Sequence, residues 1–276
     1  MLIDAHHHLW QYNPHDYAWM SGKMSVLRRD FLVPELHAAM RESDIEGTIA
    51  VQARQTVEET EWLLNLAERH PFLLGVVGWA PLCATEAAVH LERFAGNPRL
   101  KGVRHVLHDE SDDFYMLRED FNRGVSLLRS FDLVYDILIF ERHLPQTIEF
   151  VDRHPNQVFV VDHIAKPRIR ESVLSPWREN IGDLARRENV YCKLSGMATE
   201  ADWSAWSVSQ LRPYYDVVLS AFGPSRLMFG SDWPVLTLAG TYKTWTETFR
   251  GLIAGLSSDE QENICRRTAQ RAYRLV

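Results

Sequence analysis

Two histidines near the start of this 276-residue sequence, His6 and His8, are the first residues that suggest chemistry. They end a short run, residues 2–8, that we interpret as a β-strand. Side chains two positions apart on a strand point to one face, so both imidazoles would enter the same interior while His7 faces outward. Burying two imidazoles is costly unless they meet a metal, an oxyanion or a carboxylate. An ordinary polar stretch remains the alternative.

Two more candidates lie later in the chain. Asp232 stands between Phe-Gly-Ser and Trp-Pro, where the turn interrupts any helix, so we expect it at the end of a strand. A turn aspartate is the simpler alternative. His163 follows Asp162 and precedes Ile-Ala-Lys-Pro, at another strand end. Taken alone, His163 is better interpreted as a hydrogen-bonded core residue.

Side chains at other strand ends could contact a substrate. The guanidinium fork suits carboxylates and hydroxyls, although ion pairing within the protein is the commoner use of arginine. A buried lysine needs a carboxylate, for which Asp162 and Asp232 are candidates. The predicted substrate-binding residues are Arg54, Trp79, Arg104 and Lys193.

The elements that must position these residues alternate along the chain. Thr56 with Glu59 forms a capping-box pattern, and Ser257 with Glu260 forms another that opens the last helix. Pro34 and Pro145 fit the first turns of the helices that run through residues 35–41 and 147–153. The predicted strands are residues 2–8, 47–52, 73–79, 100–106, 133–139, 157–162, 189–194 and 226–230.

Continuous apolar strands separated by helices predict a parallel sheet covered by helices. Eight such units in 276 residues favour the α/β class and a single (β/α)8 TIM barrel, with one domain over residues 1–276. The carboxyl ends of all strands then meet at one rim. His6, His8, His163 and Asp232 would therefore face one cavity.

The composition narrows the range of partners. A net charge of −7 with no basic run argues against nucleic acid, and no apolar run is long enough to cross a membrane. Met1 leads directly into the first strand without a secretory signal, and the three cysteines have no pairing pattern. We expect a cytoplasmic protein that acts on a small molecule and could form a homo-oligomer.

The motifs at the strand ends resemble the amidohydrolase superfamily, and within it the branch of sugar lactonases and pyrone-dicarboxylate lactonases. Two further stretches, FERHLP at 140–145 and TEADW at 199–203, look most like the L-fuconolactonase group, with the L-rhamnonolactonases close by. The motifs are IDAHHHLW at 3–10, AVQAR at 50–54, KGVRH at 101–105, VYDIL at 134–138, DHIAKP at 162–167, KLSG at 193–196 and FGSDWP at 229–234.

The resemblance implies hydrolysis of a sugar lactone. Asp232 would activate water, while His6, His8 and His163 would polarise the carbonyl. Metal-dependent members of the superfamily carry a Lys or Glu on strand four and a His on strand five, which this sequence lacks. His6, His8 and Asp232 could hold one Zn²⁺, but no cofactor is expected to be obligatory.

Three alternatives to a lactonase activity remain. The chain could be a metal-dependent decarboxylase, another amidohydrolase of the same superfamily, or an inactive barrel that binds a sugar acid. The aromatic stretch at residues 10–24 is too long for a tight connection, so we expect it to form part of the pocket wall or to cover the barrel mouth.

Overall fold

Eight parallel strands form one sheet in chain order in this computed structural model, which describes residues 2–275. Each predicted strand is present, with its ends shifted by two residues or fewer. The strands are β1 Ile3–His7, β2 Gly47–Val51, β3 Leu73–Gly78, β4 Leu100–His105, β5 Val134–Ile137, β6 Phe159–Val161, β7 Val190–Leu194 and β8 Leu227–Phe229.

The sheet curls until its first strand meets the segment that follows its last. The amide of Asp232 donates to the carbonyl of His6 at 2.8 Å, and the amide of His8 donates to the carbonyl of Trp233 at 2.6 Å. Asp4 adds a side-chain tie, because its carboxylate accepts from the hydroxyl of Ser231 at 2.6 Å. The predicted (β/α)8 barrel is confirmed.

Helices connect the strands and cover the outside of the barrel. Proline lies in the first turn of α1 and of α5, as predicted. No helix within residues 2–275 is both long enough and apolar enough to cross a bilayer. The helices are α1 Val33–Arg41, α2 Val57–Arg69, α3 Ala87–Ala95, α4 Glu119–Leu128, α5 Leu144–Asp152, α6 Trp177–Leu184, α7 Val208–Phe222, α8 Tyr242–Ile253, α9 Ser258–Glu262 and α10 Thr268–Ala272.

Two helix predictions need correction. Thr56 caps α2, accepting the amide of Glu59 at 3.2 Å, but the Glu59 carboxylate does not complete a capping box. It accepts instead from the amides of Ala53 and Arg54, at 2.9 and 2.7 Å, and so clamps the turn after β2. The last predicted helix has its capping box, but a π-helical turn, Asn263–Arg267, separates α9 from α10.

The barrel interior and the helical layer have separate cores. The interior core is built from small and β-branched side chains such as Ile49, Val77 and Val160, and Tyr273 at the carboxyl end of α10 packs against it. Larger residues, including Phe150 and Trp245, fill the space between strands and helices. The strands are therefore packed on both faces.

Glu59 gives the first testable prediction. Burial raises the pKa of its carboxyl from 4.5 to about 7. Because the folded state favours the protonated form, the stabilisation from this shift is complete below pH 4.5 and is lost as the pH rises through 7. Relative to Glu59→Gln, the wild type should lose about 3 kcal/mol of unfolding free energy across that window. Denaturant titrations at several pH values measure this; a pH-independent difference would contradict it.

Candidate active site

The end of β1 directs two imidazoles inward. The register of β1 against β2 shifts between Asp4 and His7, and the His6 amide donates to the Asp4 carboxylate at 3.0 Å. His7 contacts the hydroxyl of Thr48 at 3.0 Å. The ring nitrogens His6 Nε2 and His8 Nε2 approach each other to 3.2 Å. The expected pair of interior histidines is present.

Asp232 faces three imidazoles. Its Oδ1 lies 3.4 Å from Nε2 of His8, 3.7 Å from Nε2 of His6 and 3.9 Å from Nε2 of His163. All four side chains are buried, and Asp232 has a left-handed backbone with φ of 58°. The structure thus brings together the four residues predicted to carry the chemistry.

His163 is positioned by the two residues that directly follow β7. Its Nδ1 lies 2.9 Å from the hydroxyl of Ser195, which leaves Nε2 directed at Asp232. The ring packs directly over Gly196, where a Cβ atom would lie only 2.7 Å from Nδ1. Glycine is therefore required at position 196 for two reasons: its φ is +66°, and the His163 ring leaves no room for a Cβ atom.

A buried ionic network lies beside the imidazoles. The Asp162 carboxylate binds Arg104 Nη1 at 2.9 Å, Lys193 Nζ at 2.9 Å and His6 Nδ1 at 3.2 Å. Lys193 also binds Asp136 at 2.5 Å. The pairing of Lys193 with Asp162 was one of two predicted from the sequence, whereas its contact with Asp136 was not predicted. Arg104 Nη1 approaches His6 Nε2 to 3.4 Å, which places fixed positive charge at the site.

Burial and charge set the protonation states. Burial lowers the pKa of His163 to about 4 and the pKa of His6 well below its ordinary value, so both rings are neutral at pH 7. Burial opposes ionisation of Asp232, but the facing imidazoles, His163 first among them, outweigh it and hold the pKa of Asp232 below its usual range. Asp232 is therefore ionised at neutral pH, the state that a general base must have before it accepts a proton.

His6, His8 and Asp232 have the geometry of a zinc site. Their facing atoms are 3.2, 3.4 and 3.7 Å apart, close to the roughly 3.4 Å edge of a tetrahedron with zinc–ligand distances of about 2.0–2.1 Å. His8 Nδ1 donates to the carbonyl of Val51 at 2.8 Å, and His6 Nδ1 contacts Asp162. Such partners direct the Nε2 lone pairs toward a metal. The residues fit one divalent ion.

The remaining predicted residues lie in other surroundings. Arg54 lines a separate cavity of about 230 Å³ formed with the aromatic stretch after β1, and pairs with Asp16 at 2.9 Å. Trp79 donates its indole N–H to His105 Nδ1 at 3.3 Å. Lys193 is fully buried among protein acceptors. Contact of any of these residues with a substrate stays a prediction.

The structure adds residues that were not predicted as site residues, although Asp162 was a candidate partner of Lys193. Asp162 and Ser195 were inside recognised motifs, and their position at strand ends was the available signal. Asp4 was detectable as a carboxylate two residues before His6 on an apolar strand. Glu110, which binds His105 Nε2 at 2.6 Å, gave no signal because it follows β4 in a loop.

A His/Asp cluster that fits a metal, at the carboxyl ends of the strands of a (β/α)8 barrel, defines the class of this protein. The chain belongs to the amidohydrolase family, whose sequence model matches residues 3–275.

Similar proteins agree with this family assignment. An L-fucono-1,5-lactonase from Burkholderia multivorans is 40% identical over 292 residues, covering 100% of this chain and 96% of that protein. An L-fucono-1,5-lactonase from Burkholderia ambifaria is 37% identical, covering 87% of this chain and 82% of that protein. A crystal structure of a Burkholderia multivorans amidohydrolase with bound zinc has a TM-score of 0.97 and 40% identity, with 100% of both chains covered.

Two glycines with the same φ of +66° test the placement of His163. Gly223→Ala should cost about 1 kcal/mol, because a Cβ there meets no atom within 4 Å and only the backbone is strained. Gly196→Ala should cost about 2 kcal/mol more, because its Cβ would collide with the imidazole. Denaturant unfolding of both variants measures the difference, and equal losses would show that His163 can move aside freely.

Proposed function

We propose that this protein hydrolyses a sugar lactone, L-fucono-1,5-lactone, to the corresponding sugar acid. The observation that carries the proposal is the Asp232 carboxylate within 4 Å of three imidazoles at the barrel rim. The two similar L-fucono-1,5-lactonases support the choice of substrate over decarboxylation or simple sugar-acid binding.

In the proposed reaction, Asp232 accepts a proton from water as the oxygen attacks the lactone carbonyl. The resulting tetrahedral intermediate collapses with cleavage of the bond between the carbonyl carbon and the ring oxygen. Asp232 then returns the proton to that oxygen, which leaves as a hydroxyl. One water is consumed and the carboxylate is regenerated.

The hydrogen-bond partners assign different roles to the histidines. A carbonyl can only accept, so His8 carries a proton on Nδ1 toward Val51, and in the tautomer with one ring proton its Nε2 can only accept. His8 is thus suited to orient water or to bind a metal, rather than to donate to the oxyanion. His163 Nδ1 can accept a hydrogen bond from the Ser195 hydroxyl, which leaves the ring proton on Nε2, where it can be donated. Together with Arg104, His163 is the proposed oxyanion donor.

His6, His8 and Asp232 would hold zinc when it is bound, and zinc would act as a Lewis acid toward the carbonyl oxygen. The guanidinium of Arg104, whose charge is paired with Asp162, already places an N–H donor beside His6. We therefore expect enzyme stripped of metal by chelation to keep kcat within about threefold of the zinc-loaded enzyme. Metal analysis alongside lactone kinetics tests this, and a loss of activity that zinc restores would contradict it.

Asp232→Asn tests the proposed general base. The amide cannot accept the water proton, so kcat for L-fucono-1,5-lactone should fall by about 10²–10⁴-fold. Asp216→Asn, in an exposed side chain of α7, is the matched control and should behave as wild type. A pH-indicator assay that includes amide and decarboxylation substrates measures both variants. Full lactonase activity in Asp232→Asn would exclude this role.

A further inference from the structure

We propose that a cavity beside His163 binds the hydroxyl-bearing part of the lactone; this inference rests on the proposed function. The cavity has a volume of about 460 Å³, within the range of small-ligand sites. We call it the Lys166 cavity. The residues that carry the argument are Phe140, Lys166, Glu200 and Trp203.

One strained turn joins this cavity to the catalytic cluster. Residues 163–166 all have left-handed backbones, with φ between 46° and 61°, and none is glycine. The amide of Lys166 donates to the carbonyl of His163 at 2.8 Å, and the Trp177 indole donates to the carbonyl of Ile164 at 2.8 Å. This conformation is unfavourable for residues that have a Cβ atom. Because this turn fixes the position of Lys166 relative to His163, a ligand bound by Lys166 would lie at a fixed distance from the His163 imidazole.

Lys166 and Glu200 offer both kinds of hydrogen bond. Lys166 Nζ lies 2.7 Å from Glu200 Oε1, and their side chains are 16% and 22% exposed. The ammonium has three donors, and Glu200 is its one hydrogen-bond partner within residues 2–275. The carboxylate has acceptor positions to spare. Neighbouring hydroxyls of a sugar ring, which both donate and accept, match such a pair.

The other charged groups favour a neutral ligand over an anion. Arg168 pairs with Glu141 at 3.0 Å, and Arg170 pairs with Asp202 at 3.6 Å. Positive charge at the cavity is therefore already matched by carboxylates. A ligand with hydroxyls and no net charge, such as a sugar lactone, needs no further counter-ion.

Aromatic rings supply an apolar wall. Phe140 and Trp203 line the cavity, and the Trp203 indole donates to the carbonyl of Thr199 at 2.8 Å, which fixes the orientation of the ring. Phe140 is stacked on His108, with ring centroids 4.7 Å apart, so Trp203 is the ring proposed to pack against the C–H groups of the sugar. Both rings come from the stretches 140–145 and 199–203, which the predicted chemistry left without a role.

The test compares two six-membered lactones, L-fucono-1,5-lactone and unsubstituted δ-valerolactone. Lys166→Met and Glu200→Gln should each lower kcat/KM for the sugar lactone about tenfold, mainly through KM, because hydrogen bonds to the hydroxyls are lost. Hydrolysis of δ-valerolactone should change less than about twofold, because this substrate has no hydroxyls. Lys166→Arg, which keeps the donor, should recover most of the sugar-lactone activity.

Lys243→Met and Glu247→Gln, which alter an exposed ion pair of α8, are the matched controls. A parallel loss for both lactones would overturn the proposal, because it would show that Lys166 acts only through the turn that holds His163. Unchanged kinetics with the sugar lactone would also overturn it. If the wild type hydrolyses neither lactone, the proposed function itself fails, and this inference fails with it.

Discussion

The carboxylate of Asp162 is the interaction on which the rest of the site depends. It joins β6 to β4 through Arg104, to β7 through Lys193 and to β1 through His6. Removing one partner from a buried ionic network is costly because the remaining charges stay buried without compensation. In agreement, burial would raise the pKa of Asp162, but Lys193, His6 and Arg104 hold this pKa well below its usual range.

Backbone strain is the second constraint, and it is concentrated at the site. Asp232 and the turn at residues 163–166 are left-handed without glycine. Strain of this kind persists only where the surroundings fix the conformation, and it commonly accompanies function. Here the fixing contacts are the barrel closure between Asp232 and His6, and the packing of His163 over Gly196. The groups proposed to react are therefore held in place before a substrate arrives.

Sequence reasoning located the strands and the cluster for a simple reason. Apolar runs mark parallel strands, and a closed barrel brings all strand ends to one rim, so His6, His8, His163 and Asp232 had to converge. The partners of Lys193 and Glu59 were harder to predict from the sequence. Asp136 lies on β5, which β6 separates from Lys193 on β7. The Glu59 carboxylate turns away from its own helix cap to the amides of residues 53 and 54.

The left-handed turn could not be predicted from its residues. Ile164 and Ala165 have no propensity for positive φ, so only tertiary contacts impose it. The shift in register on β1 is a similar case. It keeps His6 and His8 inside the barrel while Asp4 reaches the hydroxyl of Tyr242 on α8, and no local pattern encodes it.

The central claim is that Asp232, and not a histidine, is the base. The pH dependence of kcat/KM for L-fucono-1,5-lactone in metal-free enzyme tests it most directly. An Asp232 carboxyl whose pKa lies below its usual range predicts a plateau that extends from about pH 8 down to about pH 4. An acidic limb centred near pH 4, the pKa of His163, or near pH 6.5, the ordinary pKa of histidine, would contradict the account.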